Sequence, residues 1–330
     1  MFLSSRILSS LLRSISHSLV ARRVAFATLV FTAVGASGCS LHTMAVNQTV
    51  GLITKSMPAF EQEWDFELVS RALPANIKTI EGFLMSAPKN ADLLMMLARA
   101  YSAYALVLIE DRMEREQIRA DDADEEEAPE ADRQRLRARE MYARAHRYAL
   151  RALETRHEGF SEAFKKGRET LDAALATCSK DDVPALFWTV MPLASAINIG
   201  RDDVSLIAAL PKVKVVMTRI VELDEGFYYG GAHLVLGGIY GGVSPTLGGD
   251  PVRAKKHFER ALVLTKRRFL LVQMMYARTF AVQEQDQKLF RALLGEVQSA
   301  KLSILPAQRL ANVAAKRKVT RLLKRVDELF

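Results

Sequence analysis

Cysteine is scarce in this sequence. Two cysteines in 330 residues make one bridge at most, which excludes a disulfide-built scaffold. Strand patterning is missing as well: no alternating apolar and polar runs bounded by Asn-Gly or Asp-Gly turns occur, so a hairpin-based β fold is excluded. The six histidines never stand three or four apart, and no His-Glu-x-x-His is present, so no metal site is expected. Neither a glycine loop ending in Gly-Lys-Ser/Thr nor a Gly-x-Ser-x-Gly turn occurs, and no Ser-His-Asp or Cys-His arrangement stands out. The sequence offers no case for an enzyme and calls for no cofactor.

What is present is ordinary for a folded chain: 49% hydrophobic and 25% charged residues. The net charge of +8 is misleading. Residues 1–38 carry four arginines and no acid, so the rest holds 42 basic against 38 acidic side chains, a net +4. That is not the footprint of a nucleic-acid binder. The opening stretch ends at Arg22-Arg23, and an uncharged run from Val24 to Gly35 leads to Ala36-Ser37-Gly38-Cys39. A basic region, an apolar run and small residues before a cleavage point describe a secretory signal, with an apolar run too short to span a bilayer. The small-small-Cys ending is similar to a lipobox, which makes Cys39 the lipidation site and the lipid the membrane anchor. An ordinary secretory signal is the alternative. With Cys39 acylated, Cys178 has no bridge partner and reads as a buried structural thiol. The expected organisation is a signal peptide with an N-terminal extension at 1–38, a lipid-anchored linker at 39–53 and a helical domain at 54–330.

Apolar residues recur at three- and four-residue spacings in Ala91–Ile109, Val204–Val221, Ala254–Leu264 and Leu289–Ala300, which predicts helices. Asn90 after Pro88, and Asp250 before Pro251, read as helix caps. One segment departs: eight acids lie between Asp121 and Asp132, within an acidic insertion at about 110–135, and predict a solvated loop or frayed helix ends. Leu97, Ala98 and Tyr101 share their spacing with Leu236, Gly237 and Tyr240. Ala138, Tyr142 and Ala145 share theirs with Ala254, Phe258 and Ala261. These are the large-small-aromatic and small-aromatic-small spacings of paired tetratricopeptide helices, so the predicted fold is all-α, a helical-hairpin superhelix or α-solenoid. Further pairs are expected at Leu186–Val221 and Phe269–Ala300, closed by a basic helix from Pro306 to Phe330.

Nine of the 17 glycines lie between Gly226 and Gly249, in 24 uncharged residues that also hold Phe227, Tyr228, Tyr229, His233 and Tyr240. Each interior glycine costs a helix roughly 1 kcal/mol relative to alanine, so close approach is implied, by a neighbouring helix or by a ligand. The glycine load and Pro245 argue against a membrane span. His233 reads as a hydrogen-bonded core histidine. Trp188 reads as core packing or as the wall of a cavity. Six lysines and arginines between Lys316 and Arg325 read as the exposed face of a terminal helix, or as a contact for a partner or anionic lipid.

The run Tyr228-Tyr229-Gly230-Gly231-Ala232-His233, then Leu236-Gly237, Pro245, Leu247-Gly248-Gly249-Asp250-Pro251, Ala254 and His257-Phe258-Glu259-Arg260-Ala261-Leu262 resembles the TRAP-transporter-associated tetratricopeptide T component. The ending, with Leu310-Ala311-Asn312, Leu322-Leu323 and Asp327-Glu328-Leu329-Phe330, is similar too. The resemblance spans roughly Thr54 to Phe330; the acidic insertion and the long N-terminal extension depart from it. It implies a periplasmic lipoprotein that assembles as a homo-oligomer and partners the solute-binding protein of a TRAP-type transporter. It also implies handling of a hydrophobic small molecule, for which Trp188, Tyr228, Tyr229, His233 and Tyr240 are the candidate ligand-binding residues. Ser40 after the lipidated cysteine points to the periplasmic face of the outer membrane, with inner-membrane anchoring left open. The alternative is an envelope scaffold with no small ligand.

Overall fold

Side-chain caps start the helices. Asp65 accepts from the amides of Glu67 and Leu68 at 2.9 and 3.1 Å and opens α1, Phe66–Ser86. Asn90, as expected, accepts from the Leu93 amide at 3.0 Å and opens α2, Ala91–Ala103. The chain then continues through a π-helical segment, Tyr104–Ile109, into α3, Glu110–Asp122. Next come α4, Pro129–Glu154, the short α5 and α6, Phe160–Lys166 and Arg168–Ala176, and α7, Val183–Ile199. α8 is Leu210–Asp224 and α9 is Phe227–Gly241. Asp250 caps α10, Pro251–Leu264, by accepting from the Arg253 amide at 2.9 Å. α11, Leu271–Tyr276, runs into a second π-helical segment, Ala277–Ala281. α12, Gln287–Ser299, and α13, Arg309–Lys324, complete the set. The computed structural model describes residues 50–330; the signal at 1–38 and Cys39 lie outside the described residues, among which there is no strand.

Helices near one another in sequence pack together: α4 against α2 and α7, α8 against α7, α10 against α9, and α12 against α11 and α13. The spacings that predicted pairing are the contact points. Leu97, Ala98, Ala138, Tyr142, Ala145, Ala254, Phe258 and Ala261 are all fully buried. Small residues bring the backbones together and the aromatics fill the space between pairs. A regular open superhelix is not what results. α13 returns to pack against α3 and the short helix Pro58–Glu61, giving a more globular arrangement within Leu52–Phe330.

Charge makes that closure. The acids from Asp121 to Glu127 lie exposed on a helix end and the loop after it, as expected, but the start of the acidic segment and the basic tail differ from the sequence expectations. The acidic segment is helical up to Asp122, with only residues 123–128 outside a helix. Its first carboxylates, Glu110 and Asp111, are buried rather than solvated. The basic tail is their partner instead of an exposed face. Lys318 Nζ donates to Glu110 at 2.9 Å and Glu114 at 2.6 Å. Arg321 reaches Asp111 at 2.8 Å and Glu114 at 2.6 Å, and Arg317 reaches Asp111 at 2.9 Å. Burial opposes ionisation of Glu114, but Lys318, Arg278 and Arg321 outweigh it and hold the carboxyl well below its usual range. The sequence pattern missed this because it scored each charged run alone, without its opposite across the fold.

Two helical stretches, Ala91–Asp122 and Lys180–Ile199, are long and apolar enough to cross a membrane, and both are mostly buried inside the chain's own core.

Candidate functional site: an apolar cavity with a polar wall

The helix pairs enclose a cavity of about 840 Å³, within the range of small-molecule sites. Most of its surface is apolar, from side chains such as Leu106, Met191, Val235, Ile239, Met274 and Met275. Both π-helical segments reach it, one with Leu106 and Val107 and the other with Arg278. Such bulges occur often where a helix serves a site.

Helix α9 divides the predicted residues. Its 3.6-residue period turns Gly231, Leu234, Val235, Gly238 and Gly242 towards the cavity. His233, Leu236 and Tyr240 face a separate groove on the other side. Of the five predicted ligand-binding residues, Trp188 and Tyr228 line the cavity. Tyr229 packs on Phe269, with ring centroids 5.2 Å apart, and lines neither space. His233 and Tyr240 belong to the groove.

Tyr228 is held in an unusual way. Tyr228, Tyr229 and Gly230 all adopt left-handed backbone angles, with φ of 44, 59 and 69°, between the end of α8 and the regular part of α9. Two consecutive tyrosines in that region carry strain, of order 1–3 kcal/mol each, that the surroundings must offset. Aromatic packing supplies part of it. The Tyr228 ring meets Trp188 edge-on at 5.0 Å and Phe187 at 5.5 Å. Burial, with Glu61 adding to it, raises the phenol pKa far above the ordinary value, so the hydroxyl stays protonated.

One wall is polar, and sequence reasoning did not find it. Tyr228 donates to Gln308 Oε1 at 3.4 Å, and Gln308 Nε2 donates to Glu61 at 3.1 Å. Glu61 pairs with Arg99, whose guanidinium lies 5.8 Å from the Trp188 ring centroid. The chain thus joins residues from Pro58–Glu61, α2, α7, α9 and the turn before α13. Arg99 carried one signal in sequence: it is the sole charge between Leu93 and Ile109. Gln308 carried none.

The groove holds a histidine pair. His233 Nδ1 and His257 Nδ1 are 2.9 Å apart, and His233 Nε2 is 3.3 Å from Glu225 Oε2. A proton on His233 Nε2 faces the carboxylate, which leaves its Nδ1 to accept from His257. Arg260 lowers the Glu225 pKa to about 2, against a small opposing effect of burial and with help from His233. Burial and then His233 lower His257 to about 4; burial also lowers His233, with Glu225 opposing. The histidine expected to be a hydrogen-bonded core residue is one, but its partner is 24 positions away, so sequence spacing did not reveal the pair.

Cys178 is buried, as expected. It stands with His157 and Asp182, their potential ligand atoms within 4.8 Å of one another. Arg156 and His157 both lie 3.1 Å from Asp182 Oδ1, and burial, then the Asp182 charge, raise the thiol to about 11. A protonated thiol beside a guanidinium packs a corner; it does not favour a cation.

The described residues form an all-helical protein built round an apolar cavity, the class that its fold and site define. The family model described as TRAP transporter T-component matches residues 62–330, and the chain belongs to that family. The family is a non-catalytic, transport-associated component. The chain is also similar to an uncharacterised protein of Treponema pallidum (strain Nichols), at 27% identity over 201 residues, covering 61% of this chain and 60% of the relative.

Proposed function

We propose that the protein works as a lipid-anchored binding component that partners a TRAP-type solute-binding protein and receives a hydrophobic small molecule in the cavity lined by Trp188 and Tyr228. The observation that carries this reading is the cavity itself. A space of about 840 Å³ with a mostly apolar wall, open at a rim that includes Ile207 and Leu247, is costly to leave facing water unless something covers it. Family membership supplies the transporter context. In this reading Cys39 carries the lipid that holds the chain at the periplasmic face of the outer membrane. The helical pairs, built on tetratricopeptide spacings, present the partner surface, and copies of the chain assemble as a homo-oligomer.

Tryptophan emission tests the ligand half directly. The chain has two tryptophans, Trp64, which is exposed, and Trp188. In a Trp64→Phe variant, titration with a long-chain alcohol should change Trp188 emission saturably, and the same variant should co-elute with the cognate solute-binding protein. An unchanged Trp188 signal sinks the cavity reading. Absence of a complex at high micromolar concentrations of both proteins sinks the partnership.

A further inference from the structure

The polar wall of the cavity contains one hydrogen bond that is long for a buried place. Tyr228 Oη and Gln308 Oε1 are 3.4 Å apart, against roughly 2.7 Å for an ordinary bond from a hydroxyl to an oxygen. Gln308 lines the cavity and is only 3% exposed, and its Oε1 accepts no other hydrogen bond among the described residues. Its orientation is fixed. The amide nitrogen donates to Glu61 at 3.1 Å, which leaves the oxygen to face Tyr228. The phenol, kept protonated by burial, is a donor that reaches no closer acceptor. A buried acceptor and a donor matched this loosely cost free energy in an apolar setting.

Other polar groups that line the cavity have short partners. Ser102 donates to the Ala98 carbonyl at 2.7 Å, and Lys318 lies between Glu110 and Glu114 at 2.9 and 2.6 Å. The backbone sets Tyr228 apart as well. It opens the left-handed run at φ 44°, and strain kept beside a cavity points to use of the side chain it positions. The two charges at this corner, Glu61 and Arg99, answer each other, so the wall around Tyr228 and Gln308 asks for hydrogen bonds and not for a charge.

Resting on the cavity reading above, we infer that the ligand carries a neutral hydroxyl head, seated between Tyr228 and Gln308, with its alkyl tail among Met191, Val235 and Met274. A hydroxyl both accepts and donates. It accepts from Tyr228 and donates to Gln308 Oε1, so one long bond gives way to two of ordinary length. A carboxylate only accepts, and would face both the Gln308 oxygen and the Glu61 charge. An ammonium only donates, and would leave Tyr228 unanswered. Tyr228 and Gln308 are then the residues that set specificity.

Calorimetric titration of the purified chain with 1-decanol, decyl methyl ether and decanoate tests this. The ether accepts from Tyr228 but has no proton for Gln308. Decanol should bind roughly 3- to 10-fold more tightly than the ether, the gain of one neutral hydrogen bond, and more tightly than decanoate. Tyr228→Phe should weaken decanol by a similar factor. Gln308→Met should remove the difference between alcohol and ether; if that variant does not fold, Tyr228→Phe and the wild-type ratios decide. Equal affinities for alcohol and ether in the wild-type chain, or decanol affinity unchanged in Tyr228→Phe, overturn the inference and leave the cavity reading standing. Decanoate binding as tightly as decanol overturns the neutral head in favour of an acid. Binding of none of the three overturns both readings.

Discussion

At the scale of single residues, the groove formed by α9 and α10 holds the clearest pH-dependent element. His233 and His257 share one hydrogen bond at 2.9 Å, faced by Glu225, Arg260, Lys256, Arg253 and the Tyr240 ring. His257 is depressed to about 4, against about 6.5 in an unfolded chain. Between these values the unfolded state binds the proton and the folded state does not, so unfolding free energy rises with pH across the window. This stability is complete above about 6.5 and is lost as pH falls towards about 4. Partial exposure of the ring trims the contribution to about 1–2 kcal/mol. Urea titrations of the wild-type chain and His257→Gln, run from neutral to pH 4.5, should show a shallower pH slope in the variant. Parallel slopes would remove His257 from the pH response.

At the scale of elements, the glycines of α9 do different jobs at neighbouring positions. A Cβ at Gly237 would lie 3.0 Å from the fully buried Phe258 ring, so Gly237 is what lets α10 approach. Gly295 in α12 is exposed, with nothing within 4 Å of its would-be Cβ. Gly237→Ala should destabilise by about 1–3 kcal/mol through overpacking, and Gly295→Ala should stabilise by about 0.5–1 kcal/mol through helix propensity. Chemical denaturation of the two variants reads the opposite signs; equal shifts would refute the close-packing role. This is also where the sequence was most informative. Small residues at three- and four-residue spacings, with Phe258 and Tyr142 between them, marked helix pairing because a packed interface leaves that periodicity in one local stretch. The same periodicity did not say that His233 and Tyr240 turn away from Tyr228. The left-handed turn at Tyr228–Gly230 breaks the helical phase, and no single residue type announces it. Residues lining the cavity run from Met57 to Lys318, so the site is the sum of faces that are each ordinary when read alone.

At the scale of the whole molecule, the decisive contact joins positions more than 200 apart in sequence. Lys318 sits almost fully buried between Glu110 and Glu114, and the three groups tie the last long helix to the acidic helix α3. In an open array each helix pair depends only on its neighbours, and damage at the end stays at the end. In the closed packing, damage at α13 must appear in α3 as well. Lys318→Met keeps much of the side-chain volume but leaves the buried Glu110 without a cation, while Glu114 keeps Arg278 and Arg321; an uncompensated buried charge of this kind costs about 3–5 kcal/mol. Amide hydrogen exchange then separates the two architectures. Loss of protection in Glu110–Asp122 together with Arg309–Lys324 is the expected outcome, because both helices share the same carboxylates. Loss confined to Gln287–Lys324 would mean that the ion cluster decorates an open array instead of closing it. The coupling also bears on the cavity, since Lys318, Ala314 and Leu310 from α13 form part of its wall. A variant that loosens α13 should therefore weaken ligand binding even though Trp188 and Tyr228 are untouched.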